Sequence, residues 1–194
     1  MAEGLRERSR VRRRAAIARA ALKLFSEQGY ETTTVAQVAE AAEVSPRTVS
    51  LYFPSKLDLA LAYVADAADR LGAACTDRPP GASTLDIMYQ WLTDEHRNNG
   101  DTIALLRNMF DANPFLRGAE TGDITAARQM IAVELAADLG RAPDDPVVLL
   151  VNGALAGVIA ALVQIDPESD NHEIRLTTAG KVMAAVVGSV QTGG

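Results

Sequence analysis

Residues 34–56, TVAQVAEAAEVSPRTVSLYFPSK, read as two short helices joined by a tight turn. The Thr34 hydroxyl stands where it accepts a hydrogen bond from a free amide of the first turn. Gln37, three residues on, reaches back to the Thr34 amide, which is the spacing of a capping box. Val38 and Ala39 then face inward, and the helix runs to about Ala42. Glu43-Val44-Ser45 makes the turn. Ser45 caps a second helix with Pro46 at its first position, where a missing N–H is no loss. Val49 and Phe53, four residues apart, give this second helix its inner stripe. Ala39 is small where the two helices cross, and a larger side chain there would drive them apart. Two helices so joined form a helix-turn-helix, whose second helix enters the major groove of DNA.

The outward face of the second helix carries Arg47, Thr48, Ser50, Leu51 and Tyr52: a guanidinium fork, hydroxyls, a phenol and an apolar tip. Arg47 either pairs bidentately with a guanine or clamps a phosphate. Thr48 and Tyr52 are donors suited to phosphate oxygens. Lys56 opens the next helix, where its ammonium and the free amides of the helix point the same way. The plainer reading is a helical hairpin inside a bundle. Capping, turn, packing and exposed donors all agree on the helix-turn-helix.

The run TTTVAQVAEAAEVSPRTVSLYFPSKLDL, residues 32–59, resembles the DNA-binding domain of the TetR family of transcriptional regulators. The preceding ALKLFSEQGYETTTV, residues 21–35, is similar to that family's first helix and its exit, and the match covers about residues 10–60. The resemblance implies an all-α fold of about nine helices. Residues 1–54 would form a three-helix helix-turn-helix domain, and residues 55–194 a helical domain for effector binding and dimerisation. It implies phosphate contacts from Thr34, Thr48, Tyr52 and Lys56. Ala36, Pro46, Arg47 and Leu51 would meet base edges, with Ser45 in the same interface. Two departures stand out. Glu43 occupies a turn position where many members carry Gly, and a left-handed conformation there costs a non-Gly residue about 1–2 kcal/mol. Ser50 replaces a common Tyr, which weakens or removes one phosphate contact.

The chain has 194 residues, 48% hydrophobic and 23% charged, with a net charge of −6, which suits one or two globular domains. That total conceals a split. Residues 1–60 hold ten Lys and Arg against seven Asp and Glu, a balance of +3, while residues 61–194 hold nine against eighteen, a balance of −9. Positive charge is gathered at the DNA end, as an electrostatic footprint requires. One cysteine, Cys75, permits no intrachain disulfide, and no signal peptide is visible, so a cytoplasmic protein is expected.

Met1 to Ser9 is expected to be a disordered or fraying tail. Arg6, Arg8, Arg10, Arg12, Arg13 and Arg14 make a basic arm, either a solvated terminus or a set of contacts to phosphates or the minor groove. The first helix, about Ser9 to Glu27, has Ile17, Ala20, Ala21, Leu24 and Phe25 on one face and ends at Gly29. Ser55 caps a fourth helix predicted to run unbroken from Lys56 to Ala74, a lever between the DNA end and the rest. Further helices follow from Thr84 to Arg97, from Asp101 to Phe110 and from Asp123 to Leu139, the last ended by Gly140. An eighth, Pro146 to Ile165, has no charged residue and is long enough to span a membrane. Its acidic flanks, Asn152 and Gln164 argue instead for burial. Asp166 to Asp170 is a loop, and a ninth helix spans Asn171 to Val190. The eighth and ninth helices are expected to pair with a two-fold copy in a four-helix seam, with Gly153 and Gly157 permitting close approach.

No catalytic set, cofactor motif or metal-ligand spacing is present: His96 and His172 lie in unlike contexts, and no Gly-rich phosphate loop occurs. Met88, Trp91, Met109, Phe110, Phe115 and Met130, with polar Arg107, Asn108 and Asn152, are either ordinary core or the walls of a small-molecule pocket. Two functional classes remain. The first is a homodimeric regulator of transcription, a repressor released by a small effector from a palindromic operator. The second is an all-helical ligand carrier or enzyme with an incidental hairpin. A protein that coats DNA without sequence preference is a third possibility.

Overall fold

Ten α-helices and one 3-10 turn make up the described residues, 2–164 and 171–191, of the computed structural model. In chain order they are α1 (Ala2–Gln28), α2 (Val35–Ala41), α3 (Pro46–Tyr52), α4 (Lys56–Ala60), α5 (Ala62–Thr76), α6 (Thr84–Asn98), α7 (Gly100–Ala112), the 3-10 turn (Pro114–Gly118), α8 (Gly122–Leu139), α9 (Pro146–Val163) and α10 (His172–Gln191). Side-chain caps set many of the starts. Thr34 and Gln37 form the expected capping box, and the Ser45 and Ser55 hydroxyls each accept from an amide three residues on, at 3.1 Å. Ser83 and Asp86 form a second box, and hydrogen bonds from the Ser83 hydroxyl and amide hold the Asp86 carboxyl below the ordinary carboxylate range. Gly29 and Gly140 close α1 and α8 at φ of +86° and +63°.

Residues 1–66 and 105–121 form one unit, and residues 67–104 and 122–194 a second. In the first unit, α1 packs on α2 and α4, and α2 on α3. Ile17, Ala21, Leu22 and Phe25 of α1 are buried, together with Val38, Ala39, Val49, Phe53 and Leu59. Residues 105–121 contribute Leu106, Met109 and Leu116 to the buried set. Asn113 ties this segment in: its Oδ1 accepts from the Tyr30 amide at 2.8 Å, and its Nδ2 donates to the Met109 and Phe25 carbonyls at 2.8 and 3.4 Å. The Tyr30 ring sits 5.4 Å from each of Phe25 and Phe115.

In the second unit, α9 packs against α8 and α10, and α6 against α8 and α10. Met88, Leu92, Leu135, Val148, Leu155 and Met183 are among its most buried residues. Arg78 joins the α5–α6 loop to α8 through Glu134 at 3.4 Å and Asp138 at 2.9 Å, and Asp138 also accepts from the Thr84 amide at 2.6 Å.

Two expectations are corrected. The supposed tail is helical from Ala2, because residues 2–28 hold no proline and are rich in Ala, Arg, Glu and Leu, all good helix formers. The predicted helix from Lys56 to Ala74 is interrupted at Leu61, whose φ of −93° and ψ of 8° leave the helical basin. Leu59, Ala60, Leu61 and Ala62 are all buried, and four consecutive buried residues exceed the single stripe one straight helix presents. α9 is expected to be too apolar for one chain to hide entirely, with the excess left for a two-fold copy. In the chain alone only 28% of it is buried, and Leu149 and Leu150 are 55% and 74% exposed. The predicted end of that helix at Ile165 and the loop Asp166 to Asp170 lie outside the described residues.

The turn between α2 and α3 is a Schellman motif. The Val44 amide donates to the Ala39 carbonyl at 2.9 Å and the Glu43 amide to Glu40 at 3.1 Å, which places Glu43 at φ +53°. An L side chain in that region costs about 1–2 kcal/mol, offset in part by the greater freedom a glycine would have in the unfolded chain. Glu43→Gly should therefore raise unfolding free energy by about 0.5–1 kcal/mol, read as an upward shift in the urea midpoint at unchanged m value. A lower midpoint would show that the Glu43 side chain stabilises the turn.

Candidate nucleic-acid interface

α3 divides cleanly into two faces. Val49 is 1% exposed and lies in the same packed layer as Ala39, also 1%. On the other side Arg47 and Ser50 are exposed and Leu51 is 82% exposed. A leucine so placed gains nothing from the chain's own core. Pro46 and Ser45 are exposed at the start of α3, and Thr34 and Ala36 at the start of α2, while Thr48, Tyr52 and Lys56 are half-buried.

Several polar groups on this surface are already engaged. The Thr34 hydroxyl accepts from the Gln37 amide at 3.2 Å and donates to Gln37 Oε1 at 2.9 Å. The Ser45 and Thr48 hydroxyls share a hydrogen bond of 2.8 Å, and Ser50 Oγ donates back to the Pro46 carbonyl at 3.2 Å. Lys56 is held most firmly. Its Nζ lies 4.4 Å from the centre of the Tyr30 ring and donates to the Glu31 carbonyl at 3.3 Å. Burial, then the neighbouring Glu31 carboxylate, pushes the Tyr30 phenol above its ordinary value.

The basic arm is not uniform. Arg14, read with the other arginines as part of it, is turned inward: it pairs with Asp66 and lies 5.0 Å over the Phe53 ring. A guanidinium stacks well on an aromatic face, and Phe53 offers one on its own side of the helix. Arg6, Arg8, Arg10, Arg12 and Arg13 stay exposed. Arg6, Ser9, Arg10 and Arg13 line a cleft of about 390 Å³ with Tyr52 of α3, a convergence the sequence reading missed. The i, i+4, i+7 spacing of the three arginines was its visible half.

The residues considered for a small-molecule pocket divide between the units. Arg107, Met109, Phe110 and Phe115 belong to the first, and Met88, Trp91, Met130 and Asn152 to the second. Met88 and Met109 are fully buried, Met130 is 40% exposed, and the Asn152 amide donates to the Arg128 carbonyl at 3.0 Å. Within the second unit a cleft of about 530 Å³ is lined by other side chains, among them Tyr89, Thr93, His96, Asp101 and Glu173. The Tyr89 ring lies against Gly180, where an added Cβ would come within 2.6 Å of it. Sequence spacing does not link α6 to α10, so only the fold reveals this cleft. Cys75 is buried, and burial with the charge of Glu134 pushes its thiol up to about 11, a neutral core residue at physiological pH.

An all-helical chain with a capped hairpin whose second helix turns its polar face outward belongs to the helix-turn-helix class. Comparison with known proteins sharpens this. A sequence profile for bacterial regulatory proteins of the tetR family matches residues 17–63, and one for the MftR C-terminal domain matches residues 108–187. The chain belongs to the TetR family of transcriptional regulators. It is 46% identical over 85 residues, 44% of this chain, to the HTH-type transcriptional regulator TcmR of Streptomyces glaucescens, and 35% identical over 86 residues, again 44%, to the HTH-type transcriptional repressor KstR of Rhodococcus jostii (strain RHA1). These matches span only 38% and 40% of the two relatives. Among solved structures, a TetR-family transcriptional regulator from Streptomyces coelicolor superposes with a TM-score of 0.60 at 23% identity, covering 92% of this chain and 99% of that one. Salmonella enterica GusR gives 0.61 at 19%, covering 91% and 95%, so the fold is shared along nearly the whole length.

Lys56 supplies a test of this geometry. Replacing it with Gln removes the cation over Tyr30 and should lower folding stability by about 0.5–1 kcal/mol, measured by urea denaturation without DNA. An unchanged stability would mean that the ammonium is not committed to Tyr30.

Proposed function

We propose that the protein is a homodimeric repressor that binds a palindromic operator through α3 and is released by a small-molecule effector. The observation that carries this reading is the two-faced α3: Val49 locked inside, Arg47 and the 82% exposed Leu51 outside. In this reading residues 1–54 read DNA, and residues 55–194 bind the effector and dimerise. Arg47, Leu51, Pro46 and Ala36 meet base edges, while Thr34, Thr48, Tyr52 and Lys56, with Ser45 at the cap, engage phosphates. Thr34 and Thr48 exchange their present hydroxyl partners for phosphate oxygens on binding. Lys56 reaches a phosphate only by leaving the Tyr30 ring, so its share of the affinity is smaller.

Dimerisation rests on α9 and α10. On α9, Leu150, Ala154, Gly157 and Ala161 are exposed and recur every three or four residues. On α10, Ile174 and Val182 are 64% and 44% exposed. A two-fold copy presenting the same helices would cover this apolar surface, as obligate interfaces do. The same cover would account for a helix of mean hydropathy 2.3 without a membrane. The effector reading is supported by the cleft of about 530 Å³ in the second unit, a volume suited to a small organic molecule. Such a molecule releases DNA only if it binds the DNA-incompetent state more tightly. A change in half-site separation is enough, since the two α3 helices must meet the groove one helical turn apart.

Arg47→Ala tests the interface. If Arg47 reads a guanine, affinity should fall by about 1–3 kcal/mol and specificity should relax at one position per half-site. A uniform loss across sequences, with a shallower salt slope, assigns it to phosphate. No change removes it from the interface. Gly157→Glu tests the seam. An added Cβ at Gly157 meets no atom of its own chain within 4 Å, so a monomer tolerates the change. Light scattering should show loss of the dimer, with operator affinity falling although the site lies far along the chain from α3. A folded, dimeric variant with full affinity would put Gly157 outside the seam.

A further inference from the structure

The first half of α1 is helical by residue propensity but carries an unbalanced charge. Every residue from Arg6 to Arg13 is exposed, so this stretch gains nothing from packing. It holds five arginines and a single acid, Glu7, whose carboxylate lies 3.8 Å from Arg10. Arg6 and Arg10, and Arg8 and Arg12, are like charges four residues apart, a spacing that destabilises a helix. Apart from the Glu7–Arg10 pair these close like charges repel, an excess of positive charge that an anionic partner would relieve. Breaking a local rule in this way marks a functional surface.

The geometry points to a built phosphate track on α1 that lengthens the DNA footprint beyond α3. This inference rests on the reading of α3 as the DNA-facing helix and extends it to a second element. Arg6, Arg10 and Arg13 fall on one face at i, i+4, i+7 and line one cleft with the Tyr52 phenol, which belongs to α3 itself. The stripe is therefore continuous with the end of the recognition helix. It spans about 10 Å along the helix axis, the rise of about three phosphates on one DNA strand. Guanidinium forks and a phenol are donors to phosphate oxygens. Arg14, next in the series, faces inward on Phe53 and Asp66 and fixes the rotation of α1 that points the other three outward. Arg8 and Arg12 do not line the cleft.

The test uses the full-length protein and a fluorescein-labelled duplex of about 30 base pairs of scrambled sequence, titrated from about 50 to about 200 mM KCl by anisotropy. Replacing Arg6, Arg10 and Arg13 together with Gln keeps helix propensity at exposed positions. It should reduce the slope of log affinity against log salt by about two to three per protomer. The pair Arg8→Gln with Arg12→Gln should change it by less than about one. Amide hydrogen exchange in residues 6–13 should slow when the duplex binds wild-type protein, and not when it binds the triple variant. If the triple variant keeps the wild-type slope while Arg47→Ala still weakens binding, the track is wrong and the α3 reading stands. Equal losses from the triple variant and the Arg8/Arg12 pair would replace the track with diffuse charge attraction. A wild-type protein with no salt-dependent affinity for any duplex would overturn both.

Discussion

The crossing of α2 and α3 is the constraint on which the rest of the first unit depends. Each helix has seven residues, too few to persist alone. Four local devices hold them: the Thr34–Gln37 box, the Ser45 cap, Pro46 at the first position of α3, and the Schellman bonds at Glu43. Ala39 and Val49, each 1% exposed, then set how closely the two approach. The side chains that face outward are fixed by those that face inward. Val49 inside places Arg47 and Leu51 outside, because residues two apart in a helix fall on nearly opposite faces. α1 completes the arrangement by packing on α2 and α4.

Electrostatics and packing supply different parts of function. In the proposed complex the exposed arginines of α1 and Arg47 would supply long-range attraction and orientation, which salt weakens. In the proposed dimer the apolar stripe of α9 and α10 would supply the symmetry. One helix-turn-helix reads a few base pairs, and two linked copies gain avidity through effective concentration. Asn113 follows α7, and within the first unit its side chain holds the Tyr30 amide and the Phe25 carbonyl.

The hairpin was legible because its signals are local: caps three residues apart, a proline, a small residue and a stripe of period four. The helix count was nearly right for the same reason. What escaped the sequence were features set by tertiary context. The break at Leu61 depends on what packs around four consecutive apolar residues, and no turn signal marks it. The inward rotation of Arg14 depends on Phe53 and Asp66, 39 and 52 positions away. The cleft beside Tyr89 joins α6 to α10, and composition in the middle of the chain instead drew attention to methionines that largely fill core. The helical start of α1 runs against the expectation of a fraying terminus, because its residues are strong helix formers.

The central claim is that a two-fold dimer presents two copies of α3 to one face of DNA. Selection of bound sequences from a random duplex pool by the purified protein tests it most directly. The account predicts enrichment of an inverted repeat whose half-sites are centred about one helical turn, or a multiple of it, apart. Recovery of a single unrepeated site, or of no sequence at all above the starting pool, would contradict it.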